Sequence, residues 1–213
     1  MRIIIAGGHG QIALRLERLL GSAAVGLVRN PAHLPDVEAT GAQAVLCDLE
    51  RASVDEVTEI VRGADAIVFA AGAGPGSGAA RKDTVDRAAS VLMADAAERA
   101  GVPGFVQISS MGAGRPPAPD LGEVWAAYIK AKTEAEEDLR RRDLDWVIVR
   151  PGRLTDEPGT GLVRLAAEVP PGPVPRDDVA AVVAALLRAP TSRRTLELVS
   201  GDIPIAEAVA TAW

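Results

Sequence analysis

Apolar residues in this chain form short continuous blocks, separated by longer stretches where they recur every third or fourth position. The first block, Ile3-Ile4-Ile5-Ala6, is β-branched and unbroken, the pattern of a strand buried on both faces of a parallel sheet. Similar blocks at 24–28, 43–47, 66–70, 105–108 and 146–150 predict five more strands. The intervening stretches predict helices: one directly after the first strand, with Leu14, Leu16, Leu19 and Leu20 as apolar positions, then others over 31–40, 54–61, 83–100 and 122–142. Gly41 and Gly101 stop two of these helices, and Pro31 opens one. Residues 161–168 read as a strand or hairpin, 176–187 as a helix, 195–199 as a strand and 204–211 as a helix. Strict alternation of strand and helix predicts an α/β fold, a doubly wound parallel sheet in one domain over 1–213.

Composition narrows the function classes. The chain has 213 residues, of which 48% are hydrophobic and 3% aromatic, so a full core must rely on Ala, Val, Leu and Ile. A net charge of -6 without a basic patch argues against a nucleic-acid partner. The run Arg140-Arg141-Arg142 reads as the charged last turn of a helix. No apolar stretch is long enough to span a bilayer, and Met1-Arg2 leads straight into a strand, with no signal peptide. The single cysteine, Cys47, cannot form an internal disulfide, which fits a cytoplasmic protein. It ends a predicted strand, as core or as pocket wall.

Chemistry enters at Gly7-Gly8-His9-Gly10-Gln11-Ile12-Ala13. Gly7 and Gly10 let the backbone turn tightly between strand and helix and approach a ligand, and Ala13 lets the helix pack close to the strand. The helix then points its free N–H groups and dipole at whatever lies above the turn. This G-x-x-G-x-x-A pattern in a strand–turn–helix context is a dinucleotide fingerprint. Arg29 closes the second strand, where NAD-preferring folds carry an acid, and a guanidinium there suits a 2′-phosphate. The expected cofactor is therefore NADP(H); the alternative is a solvated arginine at a strand end. Asp48 either accepts from the adenine amino group or caps the next helix. Ala70, Ala71 and Gly72 are small enough for the backbone to pass over the ribose and pyrophosphate.

Tyr128 and Lys132 lie four apart on the predicted helix 122–142 and share one face. Tyr128 is the only tyrosine, and lysine occurs only at 82, 130 and 132. A tyrosine hydroxyl titrates near about 10, and an ammonium beside it favours the ionised form. Ser109 and Ser110 end the fifth strand on the cofactor edge, where a hydroxyl can position a carbonyl oxygen. Asp86 either borders the active site or complements a helix dipole. Trp125 either roofs the substrate or packs.

On these residues the chain resembles the atypical short-chain dehydrogenases/reductases, small NAD(P)H-binding proteins often grouped with NAD-dependent epimerases and dehydratases. The markers are the 7–13 loop, Val28-Arg29-Asn30, Asp48-Leu49, Ser109-Ser110-Met111-Gly112, Tyr128 with Lys132, Val149-Arg150-Pro151-Gly152, and Arg176-Asp177-Asp178-Val179-Ala180. The resemblance implies a Rossmann-like sheet with a short C-terminal extension on the substrate side. It implies that Gly7, His9, Gly10, Gln11 and Ile12 hold pyrophosphate, that Asp48 and Leu49 border the adenosine, and that Pro151 precedes residues flanking the nicotinamide. Ser109 and Lys132 join the cofactor site, and Ser110, Tyr128 and Lys132 form the catalytic group. Asp86 stands where other members have an active-site asparagine. The expected function is NADP(H)-dependent oxidoreduction of a small carbonyl or quinone-like substrate, by a monomer or homodimer. The alternatives are a non-catalytic NADP(H) sensor or an epimerase, the latter disfavoured by the short segment after strand six.

Overall fold

A computed structural model of the chain describes residues 1–74, 76–116, 122–189 and 193–212. Its first half contains β1 (Ile3–Ala6), α1 (Gln11–Leu20), β2 (Ala24–Val28), α2 (Leu34–Glu38), β3 (Gln43–Leu46), α3 (Val54–Val61) and β4 (Ala66–Phe69). Next come α4 (Ala79–Arg81), a π-helical segment (Lys82–Ala88), α5 (Ala89–Ala100), β5 (Gly104–Ile108), α6 (Gly122–Arg140) and β6 (Asp145–Pro151). The rest comprises β7 (Arg153–Thr155), β8 (Leu162–Ala166), β9 (Pro173–Pro175), α7 (Arg176–Leu186), β10 (Arg194–Ser200), β11 (Ile203–Pro204) and α8 (Ile205–Thr211).

The main sheet runs β11-β8-β10-β6-β5-β4-β1-β2-β3. All pairs from β3 through β10 are parallel, and β8 and β11 close one edge antiparallel. β1 lies between β2 and β4, with Ile3 opposite Ala24 on one side and Ala66 on the other. The winding therefore reverses at β1, and the crevice above its C-terminal end is where such folds bind ligands. Alternation along β1 divides the core. Ile3 and Ile5 join α1, α7 and α8 on one face; Ile4 and Ala6 join α3 and α5 on the other. This is a mostly parallel Rossmann-like sheet covered on both sides, as the alternating pattern implied.

Three local differences have physical reasons. The helix predicted from residue 83 is preceded by a short turn from Ala79, outside the apolar periodicity that predicts the helix, and a π-helical segment rather than an α-helix leads into α5. β7 and β9, which pair with each other in parallel outside the main sheet, have no sequence signature. They are three residues each, and β9 contains two prolines. On α1 the buried positions are Ala13, Leu16, Glu17 and Leu20, whereas Leu19 is exposed, so an acid takes a place in the apolar stripe. Most of the proline-rich loop expected at 115–119 lies outside the described residues.

Candidate functional site

The site begins where β1 turns into α1. Gly7 has φ +83°, and a Cβ on it would lie 2.7 Å from the Ala71 Cα. Only glycine allows the two loops to touch this closely. Gly10 N–H donates to Gly7 O at 2.8 Å, which tightens the turn. Gly10 also caps α1 without a side-chain acceptor, and no acid lies in the helix's first turn. The N-terminal N–H groups of a ten-residue helix are thus left for an anion, as a pyrophosphate requires. The residues present fit a dinucleotide on that account. His9 turns its ring aside: Nε2 lies 2.8 Å from Asp36 Oδ2, and the ring stacks on His33 at 3.6 Å. Any contact it makes to phosphate in this arrangement is through its backbone. Gln11 is exposed and Ile12 half-buried at the start of the helix.

One strand over, Arg29 follows β2. Its Nη1 donates to Glu50 Oε2 at 3.0 Å. Arg81 Nη2 donates to the same oxygen at 2.7 Å, and Thr84 Oγ1 donates to Glu50 Oε1 at 2.7 Å. The bond from Arg81, then that from Thr84, holds the Glu50 carboxyl below the usual range. Asp48 Oδ1 accepts from Glu50 N–H at 3.1 Å, so its side chain closes its own turn. Leu49 packs, half-buried, against the core. Cys47 is buried, and burial, then the Asp48 and Glu56 charges, pushes its thiol up to about 11, which makes it a poor nucleophile.

A chain of contacts leads from the glycine turn to the predicted catalytic group. Ala70 N–H donates to Ala6 O at 3.0 Å, and Ala71 abuts Gly7. Ala73 N–H donates to Asp86 Oδ2 at 3.1 Å, and a Cβ on Gly72 would press on Asp86 Oδ1 at 3.2 Å. Asp86 is fully buried, not a solvated first-turn acid. Lys132 Nζ lies 3.2 Å from Asp86 Oδ1 without hydrogen-bond alignment, so their contact is Coulombic. The ammonium is oriented instead by Ile108 O, to which it donates at 3.2 Å. Lys132 Nζ is 5.8 Å from the centroid of the Tyr128 ring. Lys82 Nζ approaches the same ring at 5.2 Å and donates to Gly74 O at 3.0 Å. Tyr128 therefore sits near two ammonium groups, with Trp125 tilted against it at 5.3 Å.

Ser109, expected to face the cofactor, is buried and donates its hydroxyl to Glu136 Oε1 at 2.5 Å. Glu136 also receives Arg150 and Arg140, which draws Ser109 toward α6. Ser110 remains half-buried, with a long 3.3 Å contact to Met111 O. Pro151 O accepts from Met111 N–H at 3.0 Å and so sets the loop after β5. Sequence reading did not single out Lys82, Arg81, Thr84 or Glu50. Lys82 carried a signal, being one of three lysines and four residues before Asp86; Glu50 carried none.

Comparisons with known proteins agree with this geometry. The model of the NAD(P)H-binding family matches residues 7–190. The Bacillus subtilis (strain 168) protein YhfK, described as an uncharacterized sugar epimerase, is 36% identical over 98% of this chain and 99% of its own. A solved structure from Bacillus halodurans, described as a NAD-dependent epimerase/dehydratase, superposes with a TM-score of 0.89 at 33% identity, covering 99% of both chains. The Lactococcus lactis oxidoreductase ylbE superposes with a TM-score of 0.85 at 26% identity, covering 99% of this chain and 96% of its own. With its uncapped helix above a glycine turn and its match across most of its length, the chain belongs to the NAD(P)H-binding family.

Proposed function

We infer that the protein is an NADP(H)-dependent oxidoreductase acting on a small carbonyl or quinone-like substrate. The observation that carries this reading is the proximity of the Gly7 turn, which abuts Ala71, to the segment where Ala73 binds Asp86 and Asp86 meets Lys132, 5.8 Å from the Tyr128 ring centroid. A nicotinamide, when bound, supplies or accepts the hydride. Tyr128 exchanges a proton with the substrate oxygen, with the Lys82 and Lys132 ammonium groups 5.2 and 5.8 Å from its ring centroid. Lys132 is held in place by Asp86 and Ile108 O. Ser110 offers a hydroxyl to the carbonyl oxygen, since that of Ser109 is committed to Glu136. Gly7, Gly10 and the start of α1 receive the pyrophosphate, and Ala70, Ala71, Gly72 and Pro151 line its path. Asp48 and Leu49 border the adenosine, and Arg29 reads the 2′-phosphate. The oxidoreductase ylbE is consistent with redox chemistry on this scaffold.

The test is Tyr128→Phe, assayed by NADPH oxidation across a carbonyl and quinone panel. Turnover should fall by about 10²–10⁴-fold while NADPH affinity stays within about twofold. Unchanged turnover on a substrate accepted by the wild type would remove Tyr128 from the reaction.

A further inference from the structure

Three donors from two separate parts of the chain converge on one carboxylate. Arg29 and Arg81 both donate to Glu50 Oε2, at 3.0 and 2.7 Å, and Thr84 donates to Oε1 at 2.7 Å. The arginines come from the end of β2 and from α4, the threonine from the π-helical segment, and Glu50 from the turn after β3. Two guanidiniums meet a single negative charge. The remaining charges beside this turn, Arg51 and Asp48, face each other at 3.7 Å and cancel. The cluster is therefore one negative charge short, and it offers three donors in the geometry an oxyanion takes. A phosphomonoester, with nearly two negative charges and three acceptor oxygens at neutral pH, matches it better than a carboxylate does.

We propose that Arg29, Arg81 and Thr84 form the subsite for the 2′-phosphate of the cofactor's adenosine, and that Glu50 is its tethered occupant, displaced when a phosphorylated nucleotide binds. The proposal rests on the NADP(H) reading and adds two things to it. Arg81 and Thr84 become specificity-determining residues alongside Arg29. Glu50 becomes an internal competitor, held close by its Asp48-closed turn at a high effective concentration. Its side chain is 24% exposed, so it has room to swing out. Apparent affinity for the phosphorylated nucleotide is lowered by the fraction of molecules in which Glu50 occupies the subsite.

The experiment is calorimetry on the full chain with adenosine 2′,5′-bisphosphate and with 5′-AMP, two probes that differ only at the 2′ position. Wild type should prefer the bisphosphate. Glu50→Gln should bind it about tenfold more tightly than wild type does, with 5′-AMP affinity unchanged; a gain for both probes would mean only a general charge effect and would overturn the displacement. Arg81→Met should lose about tenfold or more on the bisphosphate alone. Glu50→Ala serves as a second variant, and circular dichroism checks that each is folded. Glu50→Gln and Glu50→Ala binding no tighter than wild type, or Arg81→Met binding equally well, refutes the proposal. If Arg29→Met alone then loses the preference, the NADP(H) reading survives without it. If neither wild type nor any variant prefers the bisphosphate, both readings fall.

Discussion

Glu17 lies in surroundings at odds with a carboxylate. It is fully buried on α1, and neither carboxylate oxygen has a hydrogen-bond partner among the described residues. A Cβ on Gly26 would lie 2.4 Å from its Oε1, and one on Gly8 would lie 3.0 Å away, so two glycines make space for it. Burial pushes its pKa up to about 8, with Arg18 only partly offsetting this. The unfolded chain releases the proton near 4.5 and the folded chain keeps it to about 8. Unfolding therefore releases a proton between those values, and stability falls as pH rises through that window, by at most about 1.4 kcal/mol per pH unit from this group. Glu17→Met, similar in volume and without charge, should flatten that decline and raise the melting temperature most at pH 8. A pH profile parallel to that of wild type would show that Glu17 is solvated.

At the scale of elements, the segment 79–88 does two jobs at once. Arg81 and Thr84 contact Glu50, whereas Lys82 approaches Tyr128 and Asp86 lies against Lys132. A π-helical turn changes the angular step between side chains, which lets residues so close in sequence point in these different directions. The Asp86–Lys132 pair is nearly solvent-free, so its charges depend on each other. Lys132→Met leaves the carboxylate unpaired and should cost about 3–5 kcal/mol in urea unfolding. Adding Asp86→Asn should recover most of that loss, because the amide carries no charge to strand. A single variant within about 1 kcal/mol of wild type would mean the pair is hydrated.

At the scale of the molecule, Glu136 ties α6 to the sheet. It accepts from Ser109 after β5, from Arg150 on β6 and from Arg140, and Arg140 reaches on to Thr195 of β10. One buried carboxylate thus joins the helix carrying Tyr128 and Lys132 to three neighbouring strands. Glu136→Ala should lower the melting temperature by about 10 °C, through two guanidiniums and a hydroxyl left without their acceptor. A shift of under about 2 °C would show that solvent replaces it. Arg140 sits in the last turn of α6, as its place in the sequence implied, and also reaches Thr195, while Arg142, just beyond the helix, pairs with Asp95, Glu98 and Asp138. Among the described residues no helix is long and apolar enough to cross a membrane.

Alternation of apolar blocks and amphipathic stretches determined the order of strands and helices, because each element buries its own face and that requirement is local. The glycine turn was legible for the same reason: its strand, turn and helix are contiguous in the chain. The pairing of Tyr128 with Lys132 was legible because a helix brings residues four apart onto one face. Only the tertiary structure decided that Ser109 serves Glu136, that Asp86 belongs to Lys132, and that Arg29 shares Glu50 with Arg81. Each of these contacts joins residues far apart in sequence. A charged side chain takes its partner from whatever the fold carries into reach, and no period or spacing along the chain records that choice.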